Sequence, residues 1–91
     1  MAAPVDDYQI TSHAAFEMRR RGIEESVLRR VLAAPEQRHE IRSGRDVLQS
    51  RIAFDDKVYL VRVFVDVDRS PAEVVTVYRT SQVAKYWRAG S

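Results

Sequence analysis

The feature that most constrains this chain is a change of hydrophobic period near residue 37. Before it, apolar residues recur at the spacing of one face of an α-helix, as in Val27, Leu28, Val31 and Leu32. After it, apolar and polar residues alternate as they do in β-strands. This order predicts an α+β domain in which a helical hairpin packs on one face of an antiparallel meander sheet. With 91 residues, we expect a single domain over 1–91 whose core spans about 8–88.

Local signals place the individual elements. Residues 8–10 have the composition of a short strand. Thr11 or Ser12 is a typical cap for a first helix that runs to about Arg21, and Gly22 suits the left-handed residue that ends it. The remaining elements are predicted as a second helix from about residue 24 to Pro35, an edge strand over 37–43, strands over 47–54, 58–66 and 73–79, and a short terminal helix capped by Thr80 or Ser81.

Strand alternation assigns side chains to the two faces of the sheet. The residues predicted to face the helices are Leu48, Ile52, Phe54, Tyr59, Val61, Val63, Val65, Val75 and Val77. The opposite face then carries Gln49, Arg51, Arg62, Thr76 and Tyr78, partly covered by the terminal helix. Two interpretations stay open for this second face. In the first, the face is a ligand-binding surface. In the second, its arginines are solvated sheet residues and its tyrosine packs against the terminal helix.

The basic charge of the chain is unevenly distributed. The formal net charge is only +2, yet residues 80–91 contain bases and no acid, and residues 11–45 contain more bases than acids. All but two of the fifteen basic residues are arginine, whose planar fork pairs with phosphate through two hydrogen bonds. This pattern favours a nucleic acid or an acidic protein as the partner. Arginine enrichment from a GC-rich genome is the alternative.

Several classes of protein are excluded by what the chain lacks. It contains no cysteine, which excludes a disulfide framework and a cysteine-ligated zinc. Its two histidines have no ligand spacing, and its three glycines form no phosphate-cradling loop, so no metal or cofactor is predicted. Arg62 and Asp66 interrupt the longest apolar runs, and the first residues lack the basic and apolar regions of a signal peptide. We therefore expect a cytoplasmic protein.

Two short boxes near the chain ends carry the candidate chemistry. The first, residues 12–23, reads SHAAFEMRRRGI, and the second, residues 77–87, reads VYRTSQVAKYW. If they meet, they place imidazole, guanidinium, phenol and ammonium groups around one anionic ligand, which is the set that metal-free phosphodiester cleavage needs. The alternative is that His13 is a solvated residue in the first turn of its helix and that residues 19–21 are part of a solvated face.

These boxes resemble a family of small bacterial domains of unknown function. The resemblance rests on Ser12-x-His13-Ala14, Met18, Arg21-Gly22-Ile23, Pro35 and Val77-Tyr78-Arg79-Thr80-Ser81. That family is similar in fold to RelE/ParE-type toxins, so the resemblance implies a RelE/ParE-like fold, the toxin half of a type II toxin–antitoxin pair and an antitoxin partner. Such toxins cut mRNA, or in the ParE branch inhibit gyrase. This chain departs from the family at Glu17, where arginine is frequent, and at Glu24, where serine or threonine is usual.

The resulting hypothesis is metal-independent endoribonuclease activity on mRNA, free or ribosome-bound. The resemblance implies three catalytic residues, which are His13, Tyr78 and Arg79. The face assignment supplies three substrate-binding residues, which are Arg51, Arg62 and Lys85. His13 is the predicted base or acid, Tyr78 the alternative proton donor or a stacking platform, and the arginines bind phosphate. The alternative is a non-enzymatic interaction module or a gyrase-inhibiting toxin that binds an acidic protein. The oligomeric state stays open.

Overall fold

The computed structural model describes residues 2–89, so residues 1, 90 and 91 of the predicted domain lie outside the described part. The elements are β1 (Tyr8–Ile10), α1 (Ser12–Arg20), α2 (Glu25–Ala33), β2 (Gln37–Arg42), β3 (Arg45–Phe54), β4 (Lys57–Asp66), β5 (Ala72–Thr80) and α3 (Val83–Tyr86). The sheet has the strand order β1-β5-β4-β3-β2. Strands β2 to β5 form the predicted antiparallel meander, and β1 adds a parallel strand beside β5. The α+β class is therefore confirmed, with a mixed sheet.

The helical hairpin begins and ends where the sequence predicts. The Thr11 hydroxyl oxygen accepts a hydrogen bond of 3.1 Å from the Ala14 N–H, which caps α1. Gly22 has a φ of +67°, so the residue after α1 takes the left-handed conformation that glycine adopts without strain. No helix within residues 2–89 has the length and apolar character needed to cross a membrane.

The core lies between the hairpin and one face of the sheet. Ala14 and Met18 of α1 are buried there, as are Leu28, Val31 and Leu32 of α2. The sheet supplies Leu48, Ile52, Val61, Val63, Val65, Ala72, Val74 and Val77 to the same cluster. The apolar stripe of α2 is therefore matched by the period-2 pattern of the strands, as amphipathic elements require.

One predicted side-chain direction is wrong. Val75 was expected to face the helices, but it is half-buried and outside the core, whereas Val74 is fully buried within it. The register explains the difference, because Phe64 pairs with Thr76 while Val65 pairs with Val74. The extra residue forms a β-bulge, which reverses the alternation on one strand only.

The predicted cap of the terminal helix is also wrong. Gln82 occupies the N-cap position of α3 and makes no side-chain capping bond, and the Thr80 hydroxyl instead accepts a hydrogen bond from the Gln82 N–H at 3.1 Å. The segment still covers the second face of the sheet as expected. The Tyr86 carbonyl, for example, accepts a hydrogen bond from Gln49 Nε2 at 3.2 Å, and the Trp87 ring centroid lies 4.1 Å from Arg51 Cζ.

The bulge predicts a difference between two neighbouring valines. Val74→Ala removes buried methyl groups and leaves a cavity, so it should lower the free energy of unfolding by about 1–4 kcal/mol. Val75→Ala should lower it by less than half as much, because its side chain lies outside the core. Urea denaturation followed by circular dichroism measures both values. A larger loss for Val75→Ala would mean that alternation continues unbroken through the strand.

Candidate functional site

The two boxes meet at the open edge of β5. Strand β1 pairs with β5 at Ala72–Val74, and beyond Val74 no strand within residues 2–89 lies beside that edge of β5. Arg21, at the end of α1, reaches this edge and donates from Nη1 to the Val77 carbonyl oxygen at 3.2 Å. A Cβ at Gly22 would lie 3.9 Å from Arg79 Nη2. The end of α1 and the second half of β5 are thus neighbours.

An open groove of about 720 Å³ lies at this junction. It is lined by Arg20, Arg21, Gly22, Tyr78 and Arg79. Three guanidinium groups and one phenol therefore surround a concave surface, and both kinds of group donate hydrogen bonds to anions. Of these residues, the sequence hypothesis contained only Tyr78 and Arg79. A run of three arginines at a helix end was the available signal for Arg20 and Arg21, but it also suited a solvated face.

Arg79 is the groove cation that has no acidic partner among residues 2–89. It lies opposite Val61, on the face of the sheet that carries the helices. Its Cζ is 4.3 Å from the Phe54 ring centroid and 4.8 Å from that of Tyr59. Among the ion pairs within residues 2–89, none involves Arg79. The two rings hold the guanidinium without neutralising its charge, which leaves its donors available to a ligand.

Glu17 is a component of the site that the sequence hypothesis missed. Its Oε2 lies 2.9 Å from Arg20 Nη2 and 2.9 Å from Arg21 Nη2, and the residue is only 8% exposed. The hydrogen bond from Arg20, together with the charges of Arg20, Arg21 and His13, holds the pKa of Glu17 below its usual value against the opposing effect of burial. The i, i+3 and i, i+4 spacing of these residues was the signal for the pairs.

Arg62 lies behind Tyr78 rather than in the groove. The residue is 8% exposed, and its Nη1 donates to the Tyr78 phenol oxygen at 2.7 Å. Its Nε donates to Gln49 Oε1 at 2.9 Å. Arg62 and Tyr78 are therefore neighbours on one face of the sheet, as the sequence predicts. Arg62, however, is buried and does not line the groove, whereas Tyr78 does.

Arg51 is engaged with an acid and an indole ring. Its Nε and Nη2 donate to the Glu36 carboxylate at 3.1 and 3.0 Å, and its backbone N–H donates to the same group at 2.8 Å. These hydrogen bonds from Arg51 lower the pKa of Glu36. Lys85 is an exposed residue of α3 whose Nζ lies 5.3 Å from the Tyr86 ring centroid. Neither Arg51 nor Lys85 is among the residues that line the groove.

His13 lies in the first turn of α1 and is exposed to solvent. It precedes Arg20 by seven residues, which corresponds to about 10 Å along the helix axis. The six predicted site residues thus do not form one cluster. Tyr78 and Arg79 line the groove, Arg62 supports Tyr78, and the other three lie elsewhere. Within residues 2–89, no group of three or more acidic, histidine or cysteine side chains is arranged to hold a metal ion.

The fold and this groove together define a small α+β domain with an arginine-rich concave site at the open edge of its sheet. The family model described as “Domain of unknown function (DUF4258)” matches residues 10–79, and the chain belongs to that family. The matched range contains every residue that lines the groove. No curated protein and no solved structure matches the chain.

The position of Glu17 predicts how the groove responds to loss of its carboxylate. Glu17→Gln removes a negative charge that pairs with two groove arginines, so it should tighten the binding of inorganic phosphate by roughly fivefold. Glu25→Gln is the matched control, because it removes the same charge from the i, i+4 pair of Glu25 with Arg29, at 3.7 Å, outside the groove. Both phosphate affinities are measured by titrating phosphate into each variant and following the NMR chemical shifts of the Gly22 and Arg79 amides. Weaker binding by Glu17→Gln would mean that the carboxylate mainly orients the arginines.

Proposed function

We propose that this protein is the toxin half of a type II toxin–antitoxin pair, with a RelE/ParE-like fold and metal-independent endoribonuclease activity on mRNA. The observation that carries the proposal is Arg79, a cation without an acidic partner among residues 2–89, oriented by two rings in a groove. A phosphate of the RNA backbone is the ligand that suits it, because a guanidinium pairs with phosphate through parallel hydrogen bonds. The antitoxin is the proposed protein partner.

The proposed reaction uses the ribose 2′-hydroxyl as the nucleophile. Arg79 and Arg20 stabilise the extra negative charge on the phosphorus centre, and an acid protonates the leaving 5′-oxygen. Tyr78 is the groove residue suited to the acid role, since the arginines stay protonated. For His13 to act as the base, the RNA must run along α1 so that the ribose lies on the His13 side of the groove.

A second candidate function is a non-enzymatic interaction module, which includes a gyrase-inhibiting toxin. The observation that favours it is the position of His13, which is exposed and outside the residues that line the groove. The groove then holds a complete set of anion-binding groups but only one side chain suited to proton transfer. An acidic protein surface is the ligand of this alternative. Expression in cells with and without a neighbouring antitoxin gene, followed by mapping of RNA ends, separates the two functions.

The binding part of the proposal predicts a change in salt dependence. Arg79→Gln should weaken the binding of single-stranded RNA and lower the slope of log affinity against log salt by roughly 0.7, because one phosphate contact is lost. Arg29→Gln is the control, since Arg29 is an equally charged residue of α2 paired with Glu25. Fluorescence anisotropy over a series of salt concentrations measures the slopes. Equal slopes for the two variants would remove Arg79 from the phosphate site.

The catalytic part predicts a loss of rate that is larger than the loss of binding. Tyr78→Phe should slow RNA cleavage by about 10²–10⁴-fold, because it removes the proton donor and no charge. His13→Ala should slow cleavage to a similar extent if the RNA follows α1, and chelators should leave the rate unchanged. Single-turnover cleavage with and without ribosomes measures these rates, with circular dichroism as the check on folding. No cleavage by the wild type, with or without ribosomes, would support the interaction module instead.

A further inference from the structure

Arg62 is a buried cation that has no carboxylate partner within residues 2–89. Its hydrogen-bond acceptors are two neutral oxygens, Gln49 Oε1 and Tyr78 Oη. Its Cζ also lies 4.4 Å from the Tyr86 ring centroid and 5.3 Å from that of Phe64. Burying an arginine without an acid lowers the stability of the folded state, and an apolar side chain at the same position would often give equal or greater stability. The arrangement therefore needs a reason other than stability.

A chain of amides fixes the direction of every hydrogen bond around Arg62. A guanidinium only donates, so the Gln49 atom that faces it is the oxygen. The Gln49 nitrogen then donates to Gln37 Oε1 at 2.7 Å and to the Tyr86 carbonyl at 3.2 Å. Gln37 in turn donates to the Arg88 carbonyl at 2.7 Å and accepts from the Arg88 N–H at 3.1 Å. The terminal segment thereby holds Arg62 in one position.

The same rule fixes the role of the Tyr78 phenol. Because Arg62 donates to it at 2.7 Å, the phenol oxygen is an acceptor in this bond and its own hydrogen is left over. No side chain or carbonyl within residues 2–89 accepts that hydrogen, and Tyr78 lines the groove. We propose that Arg62 is a positioning residue that holds Tyr78 as a hydrogen-bond donor to a phosphate in the groove. This inference rests on the proposed function and adds a residue that acts from the opposite face of the sheet.

The arrangement also supplies the proton that the leaving oxygen needs in the proposed cleavage step. The 2′-oxygen, having given its proton to the proposed base His13, forms a bond to phosphorus. The bond from phosphorus to the 5′-oxygen breaks, its electron pair stays on that oxygen, and the oxygen takes the Tyr78 proton. The remaining phenolate lies 2.7 Å from Arg62 Nη1, whose positive charge stabilises it. Arg62 thus acts through Tyr78 without touching the RNA.

A double-mutant cycle with inorganic phosphate as the probe tests this role. Tyr78→Phe and Arg62→Met should each weaken phosphate binding about tenfold, the loss expected for one hydrogen bond to a charged group. Adding Arg62→Met to Tyr78→Phe should cost less than about twofold more, since the hydroxyl that Arg62 positions is already gone. Arg45→Met is the control for lost arginine charge, because Arg45 pairs with Asp66 and lies outside the groove. Should Arg62→Met fail to fold, Arg62→Lys replaces it in the cycle.

The outcomes separate this inference from the proposed function. Additive losses in the cycle would overturn the positioning role, even if the wild type cleaves RNA. A coupled loss in phosphate binding, with no RNA binding or cleavage by the wild type, would retain the positioning role and overturn the endoribonuclease. If the wild type binds no phosphate, the positioning role is overturned, and RNA cleavage alone decides the endoribonuclease. If Arg45→Met weakens phosphate binding as much as Arg62→Met does, the effect is one of net charge and the positioning role is wrong.

Discussion

The groove depends on the parallel pairing of three-residue strand β1 with the start of β5. Directly after this pairing, the Thr11 N–H donates to the Val74 carbonyl at 3.1 Å while the Thr11 hydroxyl caps α1. Helix α1 therefore starts at the edge of β5, and Gly22 lies beside Arg79 at its far end. Because β1 is so short, no strand within residues 2–89 covers the edge beyond Val74, and an uncovered edge is available to a ligand.

Arginine has three physical roles in this domain, and they differ in how much charge each leaves for a ligand. Arg45 and Arg51 pair with the carboxylates of Asp66 and Glu36, which orients them and neutralises their charge. Arg62 is buried among amides and rings and acts on its neighbours. Arg79 rests on two rings and keeps its charge. Composition cannot separate these roles, since the partner of each guanidinium lies on a different strand, helix or loop.

The fold was largely predictable because its signals are local. The cap at Thr11, the left-handed Gly22 and the stripe around Leu28 each act within a few residues, and each is present as predicted. The reversed position of Val75 was not predictable, because a bulge depends on the register between two strands. Of the residues at the site, Tyr78 and Arg79 were predicted from the sequence. The sequence showed Glu17 only as an acid three and four residues before two arginines, and the importance of that spacing depends on the groove beside it.

The sequence by itself determined the α+β class, the ends of the helical hairpin and the presence of two boxes rich in arginine and aromatic residues. Period and capping determine these properties, and both are read along the chain. Only the tertiary structure decided which groups meet. It placed Arg51 and Arg79 on opposite faces, put Arg62 behind Tyr78, and left His13 two helical turns from the groove. The reason is that a site is a set of distances between distant residues, and those distances exist only once the sheet is paired and the helices are packed on it.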